Sequence, residues 1–429
     1  MQFYSTNRRS APASFREAVL GGQPDDGGLY FPAEIPQLPS SLIERMASIP
    51  LVDVALEVIR PYVGGDIPDD RLRQIVDETL SFPLPLVALS ERISALELFH
   101  GPTLAFKDIG AGFMSRCLRY FGGGSGRRTF VIVATSGDTG GAVAAGFHGV
   151  EGIEVIILFP KGKVSRVQEL QLTTFGGNVT TLEVRGTFDD CQAIAKQMLA
   201  DAELNARAHL TSANSINIAR WLPQQFYYFA ALQQWQGAPP VISVPSGNFG
   251  NLAAGMLAAR SGLPVSRFIA ACNSNDVVPR FMNTGSYDLR PAVATISNAM
   301  DVGSPSNLVR ISEIFGGDRE QLSSAMAAKS YSDEETRRTM VDVYSHCKYI
   351  LDPHGAVGYL AIDEYLSANG GRGIFLATAH PVKFDVVLDV IGTQGNEPES
   401  LADLAHKPKQ SVEIDNDPSA VRDMILAKL

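Results

Sequence analysis

From Thr129 onward the chain alternates short, β-branched apolar runs with helix-like stretches, and this restricts the fold to the α/β class, because parallel strands need crossover helices between them. Six runs carry the pattern: 129–135 (TFVIVAT), 154–160 (EVIILFP), 179–185 (VTTLEVR), 241–245 (VISVP), 266–273 (SRFIAACN) and 373–378 (GIFLAT). Their short, β-branched and mainly apolar character predicts buried strands. Between them, 188–200 reads as a helix with Thr187 as its N-cap and Asp189 and Asp190 in a favourable first turn. A second helix spans 216–235, and Pro223 must start, kink or divide it.

The first 85 residues read differently. Pro24, Pro32, Pro36 and Pro39 punctuate them, two helices are predicted around 40–48 and 69–80, and 81–85 (SFPLP) reads as a linker. The expected division is a capping domain over 1–85, a core over 86–395 and a charged tail over 396–429 with one terminal helix near 419–429. The GGGSG run at 122–126 is expected to be a flexible loop between a helix and a strand. With 429 residues and 45% hydrophobic content the chain can bury a large core.

A formal net charge of -10, from 36 basic and 46 acidic side chains, argues against nucleic-acid or membrane partners. No apolar run is long enough for a membrane span, and residues 1–14 lack a secretory signal pattern, so the expected compartment is the cytoplasm. Cys117, Cys191, Cys272 and Cys347 are scattered without a CxxC pair and are expected to be core thiols in a reducing compartment. His100, His354 and His380 have no metal-ligand spacing and no metal is expected.

Four features sit where α/β proteins hold ligands. Lys107, in HGPTLAFKD (100–108), lies among apolar and small residues where an amine can lose solvation and become a nucleophile, although a solvated helical lysine is the plainer alternative. The loop SGDTGG (136–141), with a helix expected over 142–147, offers glycines, amides and the Ser136 and Thr139 hydroxyls to an anion; it could also be a turn with a capping aspartate. The loop SGNFGN (246–251), with a helix expected over 252–259, is not closed by the Gly-Lys-Ser/Thr of a Walker A motif and lacks the GxGxxG spacing of a dinucleotide fold, and suits one phosphate monoester; the alternative is a tight turn with left-handed asparagines. Thr378 places a hydroxyl at a strand's carboxyl end, or serves only as a helix cap. One reactive amine, two anion cradles and a hydroxyl together suggest pyridoxal phosphate held on Lys107, with an amino-acid substrate.

The landmarks FREAVLGG (15–22), DGGLYFP (26–32), HGPTLAFKD, TSGDTG (135–140), NSINIAR (214–220), GNFGN (247–251) and AMDVGSPSN (299–307) resemble, in order, those of the threonine synthase family, in its longer bacterial and fungal-like form. The resemblance implies fold type II of the pyridoxal-phosphate enzymes, tryptophan synthase β-like, with two open α/β domains of mostly parallel sheets (the smaller about 110–215) plus the N-terminal capping domain. It makes Lys107 the Schiff-base lysine and the catalytic residue. It assigns Gly247, Asn248, Phe249, Gly250 and Asn251 to the cofactor phosphate, Thr378 to the pyridine nitrogen, and Ser136, Asp138 and Thr139 to the substrate carboxylate and the cofactor ring edge. Asn217 and Arg220 would face the substrate, with Lys163 and Arg166 as further cations for its phosphate unless they belong to a solvated loop. The implied reaction converts O-phospho-L-homoserine and water into L-threonine and phosphate, by a monomer or homodimer. Other fold type II enzymes, such as serine or threonine dehydratases, cysteine synthases and amino-acid phospholyases, would keep the lysine and both cradles, and a non-catalytic ligand-binding relative would keep the fold.

Overall fold

The computed structural model describes residues 1–122 and 127–429. Gly122 closes the helix Lys107–Gly122, and the rest of the expected 122–126 loop lies outside the described residues.

Two open sheets organise the chain. The larger runs in the order Met326–Ser330, Arg267–Cys272, Val241–Pro245, Gly373–Ala377, Ile93–Glu97, Leu86–Ala88. Its neighbours are parallel except for the antiparallel edge strand Leu86–Ala88. The second sheet runs Ser411–Asp415, Val179–Arg185, Ile153–Pro160, Thr129–Ala134, His209–Ser212, all parallel. All six apolar runs read from the sequence are strands of these sheets. Of the strands that the pattern did not reveal, Leu86–Ala88, His209–Ser212, Met326–Ser330 and Ser411–Asp415 are sheet edges, where a strand needs less apolar surface.

The tail is more structured than expected. Besides the helix Pro418–Ala427 it contributes a helix, Glu399–Ala405, and the edge strand Ser411–Asp415. Charges pin that strand: Lys161 and Arg185 both pair with Glu413, and Lys409 bridges Glu169 and Glu183.

Thr187 caps Phe188–Ala200 with a reciprocal Thr187–Asp190 capping box. Pro223, which has no N–H to donate, divides its segment into Ile218–Trp221, a 3-10 turn Leu222–Gln224, and Gln225–Gln234. The N-terminal region holds two further helices, Phe15–Gly21 and Leu51–Val63, the second with Pro61 in its last turn, where it masks the pattern.

The main core is continuous from the N-terminal region into the lysine helix: Phe3, Phe15 and Tyr62 pack in one cluster with Phe113, Trp221, Phe226 and Tyr228. Separate clusters lie between the larger sheet and Pro353–Asn369, and between the second sheet and Phe188–Ala200 with Pro418–Ala427. Cys117, Cys191 and Cys272 are buried and unpaired, but Cys347 is exposed at a helix end, where its thiol donates to Val343 O; it is not a core thiol, because the helix face it occupies is turned to solvent.

Candidate active site

Lys107 is the first residue of the helix Lys107–Gly122, and the backbone before it is fastened to the end of the Gly373–Ala377 strand. Phe106 N donates to Thr378 O at 2.9 Å, His380 N donates to Leu104 O at 3.0 Å, and Ala105 pairs with Ala379. Lys107 and Thr378 are therefore held together by main chain, which no side-chain substitution loosens easily. Thr378 is buried and does not cap the turn that follows it; His380 does, its Nδ1 accepting from Val382 N.

The helix after Thr129–Ala134 begins at Asp138 rather than at Ala142, so Thr139 stands in its first turn. Thr135 Oγ1 accepts from both Gly137 N and Gly140 N, which folds the loop under the strand end. Gly140 is required by close packing: a Cβ there would lie 2.5 Å from both Leu172 Cδ2 and Thr135 Cγ2 and 3.1 Å from Ile157 Cγ2. Gly140→Ala is expected to cost about 1–3 kcal/mol of stability through overpacking. An unchanged urea midpoint would mean that the helix shifts freely.

Asp138 is the electrostatic centre of this region. Its Oδ1 accepts from Lys383 Nζ at 2.8 Å and from Gln168 Nε2 at 3.0 Å, while Oδ2 is 3.9 Å from Lys107 Nζ. Burial favours its neutral form, but the Lys383 and Lys107 charges and the bonds from Lys383 and Gln168 outweigh it and hold the carboxyl well below the usual range. Burial pulls Lys107 down to about 8, with Asp138 opposing and Lys383 and Arg220 adding to the fall. Its side chain keeps 16% exposure. An amine lowered this far is still largely protonated near neutral pH, but it gives up its proton far more readily than an ordinary lysine, as a nucleophile or base requires.

Arg220 is brought alongside by the helix that Lys107 opens. Gly110, one turn further, lets that helix touch Arg220: a Cβ would stand 2.8 Å from Arg220 O and 3.6 Å from its Nε. Arg220 is buried, with Nε and Nη1 lacking any partner, and burial lowers its guanidinium to about 10, so it remains a cation. A buried cation with unused donors is costly unless an anion arrives to meet it. Asn217 departs from the expected substrate contact: it donates to Val19 O and accepts from Ala219 N, capping the short helix that carries Arg220. Lys163 and Arg166 are exposed, unlike Lys107 and Arg220.

The 246–251 loop is tied to the same region through Ser215. Asn248 Nδ2 and Asn307 Nδ2 both donate to Ser215 Oγ, at 2.9 and 3.1 Å, and Ser306 N donates to Asn248 Oδ1 at 2.6 Å. Arg310, buried over the Trp221 ring, donates to Ser215 O, Ile216 O, Tyr30 O and Asn307 Oδ1, which joins three sequence landmarks. It is Phe249, at φ +62, and not an asparagine that takes the left-handed turn before the helix Gly250–Arg260. The loop runs hard against the Met300 backbone, 2.5 Å from where a Gly247 Cβ would be.

These residues fit pyridoxal phosphate. The Gly250–Arg260 helix opens with N–H groups that have no intrahelical acceptor, and the buried Asn251 Nδ2 is unpartnered while Tyr228 Oη donates to Asn251 Oδ1. That donor set suits a phosphate, the lowered Lys107 amine suits an aldehyde, and Ser136 and Thr139 lie half-buried at the other anion cradle.

A family profile described as a pyridoxal-phosphate dependent enzyme matches residues 82–376; profiles for the threonine synthase N terminus and the threonine synthase C-terminal region match 2–80 and 355–425. The threonine synthase of Haemophilus influenzae is 44% identical over 433 residues, covering 99% of this chain and 100% of the relative. The chain belongs to the threonine synthase family. The crystal structure of threonine synthase from Escherichia coli superposes with a TM-score of 0.93 at 40% identity, covering 100% of both chains. That of the PLP-bound threonine synthase from Brucella melitensis gives 0.93 at 36% identity, covering 99% of this chain and 98% of the other. Fold type II and dependence on pyridoxal phosphate follow from this membership. Among the described residues no helix is long and apolar enough to cross a membrane.

What sequence reasoning missed in this threonine synthase family site is Lys383, with Gln168 and Thr103 beside it. The only signal was a lysine flanked by Val382 and Phe384, five residues after Thr378.

Proposed function

We propose that this protein converts O-phospho-L-homoserine and water into L-threonine and phosphate, with Lys107 as the covalent anchor of pyridoxal phosphate. The observation that carries the reading is Arg220, a buried cation with two free donors beside a lowered lysine amine. A dehydratase has no side-chain phosphate for such a group to meet.

When bound, pyridoxal phosphate supplies a conjugated electron sink next to the substrate Cα. Asn248, Phe249, Gly250 and Asn251, with Gly247, hold its phosphate, and Ser136, Thr139 and the first N–H groups of Asp138–Phe147 hold the substrate carboxylate. Lys107, once the substrate amine has taken its place, moves protons at Cα, Cβ and Cγ. Arg220 neutralises the phosphate as its bond to Cγ breaks, after which water adds at Cβ. Lys163 and Arg166 stand as cations at the edge of the reading, which also takes the protein as a cytoplasmic monomer or homodimer.

The test is a visible spectrum of the purified protein and a paired assay of phosphate and threonine from O-phosphohomoserine. Equal release of both supports the reading; phosphate without threonine indicates a phospholyase, and neither product removes the assignment.

Thr378 allows a second check. Its hydroxyl would offer the cofactor's pyridine nitrogen a neutral hydrogen-bond partner, whereas Thr378→Asp would favour protonation of that nitrogen and strengthen the sink at Cα. Threonine formation is expected to fall roughly tenfold or more, with other products rising, while Thr378→Ser stays within a few-fold of the parent. Identical product ratios in the two variants would show that Thr378 does not touch the ring.

A further inference from the structure

Two lysines meet one carboxylate in this site, and their arrangement is unequal. Lys383 Nζ lies 2.8 Å from Asp138 Oδ1 and donates to Thr103 O at 2.8 Å, and its side chain is 0% exposed. Lys107 Nζ lies 3.9 Å from Asp138 Oδ2 and retains a narrow opening. Lys383 comes from the 3-10 turn Pro381–Lys383, which Thr378 and His380 anchor to the Lys107 segment, so its position is fixed by the same main-chain clasp. A buried carboxylate stabilises the ammonium nearest to it. Gln168 takes a further bond to Oδ1 and turns the carboxylate toward Lys383.

We propose that Lys383 is a positioning residue that takes up the negative charge of Asp138 and thereby lets Lys107 release its proton as readily as the chemistry requires. The inference deepens the proposed function and rests on the reading of Lys107 as the cofactor's anchor. Without Lys383, Asp138 would have Lys107 as its nearest cation and would hold it protonated. Without Asp138, Lys107 would face the positive charges of Lys383 and Arg220 alone. The other ionisable neighbours are Asp108, Tyr227 and His380: burial lifts Asp108 to about 6 against the pull of its bonds from Thr103 and of the Lys383 charge, Tyr227, its phenol pushed far up by burial, donates to Phe106 O, and burial brings His380 down to about 4, with the Lys383 charge a lesser cause. None of these three side chains bonds to the ammonium of Lys107 or Lys383.

The two deletions therefore have opposite signs. The experiment is competitive labelling of the full-length, cofactor-free protein with acetic anhydride across pH, reading the Lys107 peptide by mass spectrometry, so that it does not depend on turnover. In the parent, Lys107 should become reactive with a midpoint of about 8. In Lys383→Met the midpoint should rise by about one unit or more, lowering labelling near neutral pH roughly tenfold, and the acid limb of the pH–rate profile should move up with it. In Asp138→Asn the midpoint should fall. Lys383→Arg should stay near the parent, and Lys383→Gln, which keeps a donor to Thr103 and Asp138 without the charge, should behave as Met does and replaces it if Met fails to fold. An unmoved midpoint in the Met or Gln variant, or shifts of the same sign on deleting Lys383 and Asp138, would overturn the proposal. If the labelling shifts appear but O-phosphohomoserine is not turned over, the charge arrangement stands and the substrate reading falls.

Discussion

Lys107→Ala is expected to yield a folded protein that has lost threonine formation by about a thousandfold or more and carries no reducible bond to pyridoxal phosphate. The parent, treated with borohydride in the presence of the cofactor, should lose its visible colour and gain the cofactor's mass on the peptide containing Lys107. The size of the effect follows from the site: Lys107 is the one amine here that is both lowered, to about 8, and open to the site, while Lys383 is closed in and held by Asp138 and Thr103. Loss of the side chain removes the anchor and the proton carrier together. Because the backbone at 105 and 106 is fixed by Ala379 and Thr378, the fold should survive. A Lys107→Ala protein that still gave a borohydride-stable adduct on one peptide would transfer the role to another lysine, with Lys383 the first to examine.

Arg220→Ala should slow turnover of O-phosphohomoserine roughly 100-fold or more, because a desolvated guanidinium contact to a departing phosphate is strongest as the bond breaks. Pyridoxal phosphate should still bind, since its expected cradle is built from Ser215, Asn248, Asn307 and the start of Gly250–Arg260. Stability supplies a second readout. A guanidinium that is buried with Nε and Nη1 unpartnered is a liability to the ligand-free fold. Arg220→Met, which keeps apolar volume, should therefore melt no lower than the parent without ligand while losing the same activity, as expected where strain is retained for function. Near-normal phosphate release from either variant would make Arg220 structural and turn attention to Lys163 and Arg166.

The interior strands were legible because a strand buried on both faces has to be apolar along its length, as Thr129–Ala134 and Ile153–Pro160 are. Edge strands escaped for the converse reason: Ser411–Asp415 (SVEID) keeps much of its surface in water and depends on pairs such as Arg185–Glu413 instead of apolar burial. The ligand loops were legible as chemistry, since glycines and hydroxyls at strand ends announce an anion cradle. Their roles were less so, because a hydrogen-bonding side chain looks the same in sequence whether its partner is a ligand or the chain. Asn217, which caps its helix and reaches back to Val19, shows the difference.

By itself the sequence determined the class of fold, the candidate ligand loops at strand ends, the family and the candidate lysine, since each depends on residues near one another in the chain or on landmarks in fixed order. Tertiary structure alone decided which charges share a buried volume. Lys383 is distant in sequence from Asp138 and Lys107; the clasp of the Gly373–Ala377 strand end to the start of Lys107–Gly122 brings the two lysines together, and Asp138 reaches them from the helix that follows Thr129–Ala134 in the other sheet. How strongly a lysine holds its proton depends on desolvation and on charges within a few ångströms, and those distances are set by the folded chain, not by order along it.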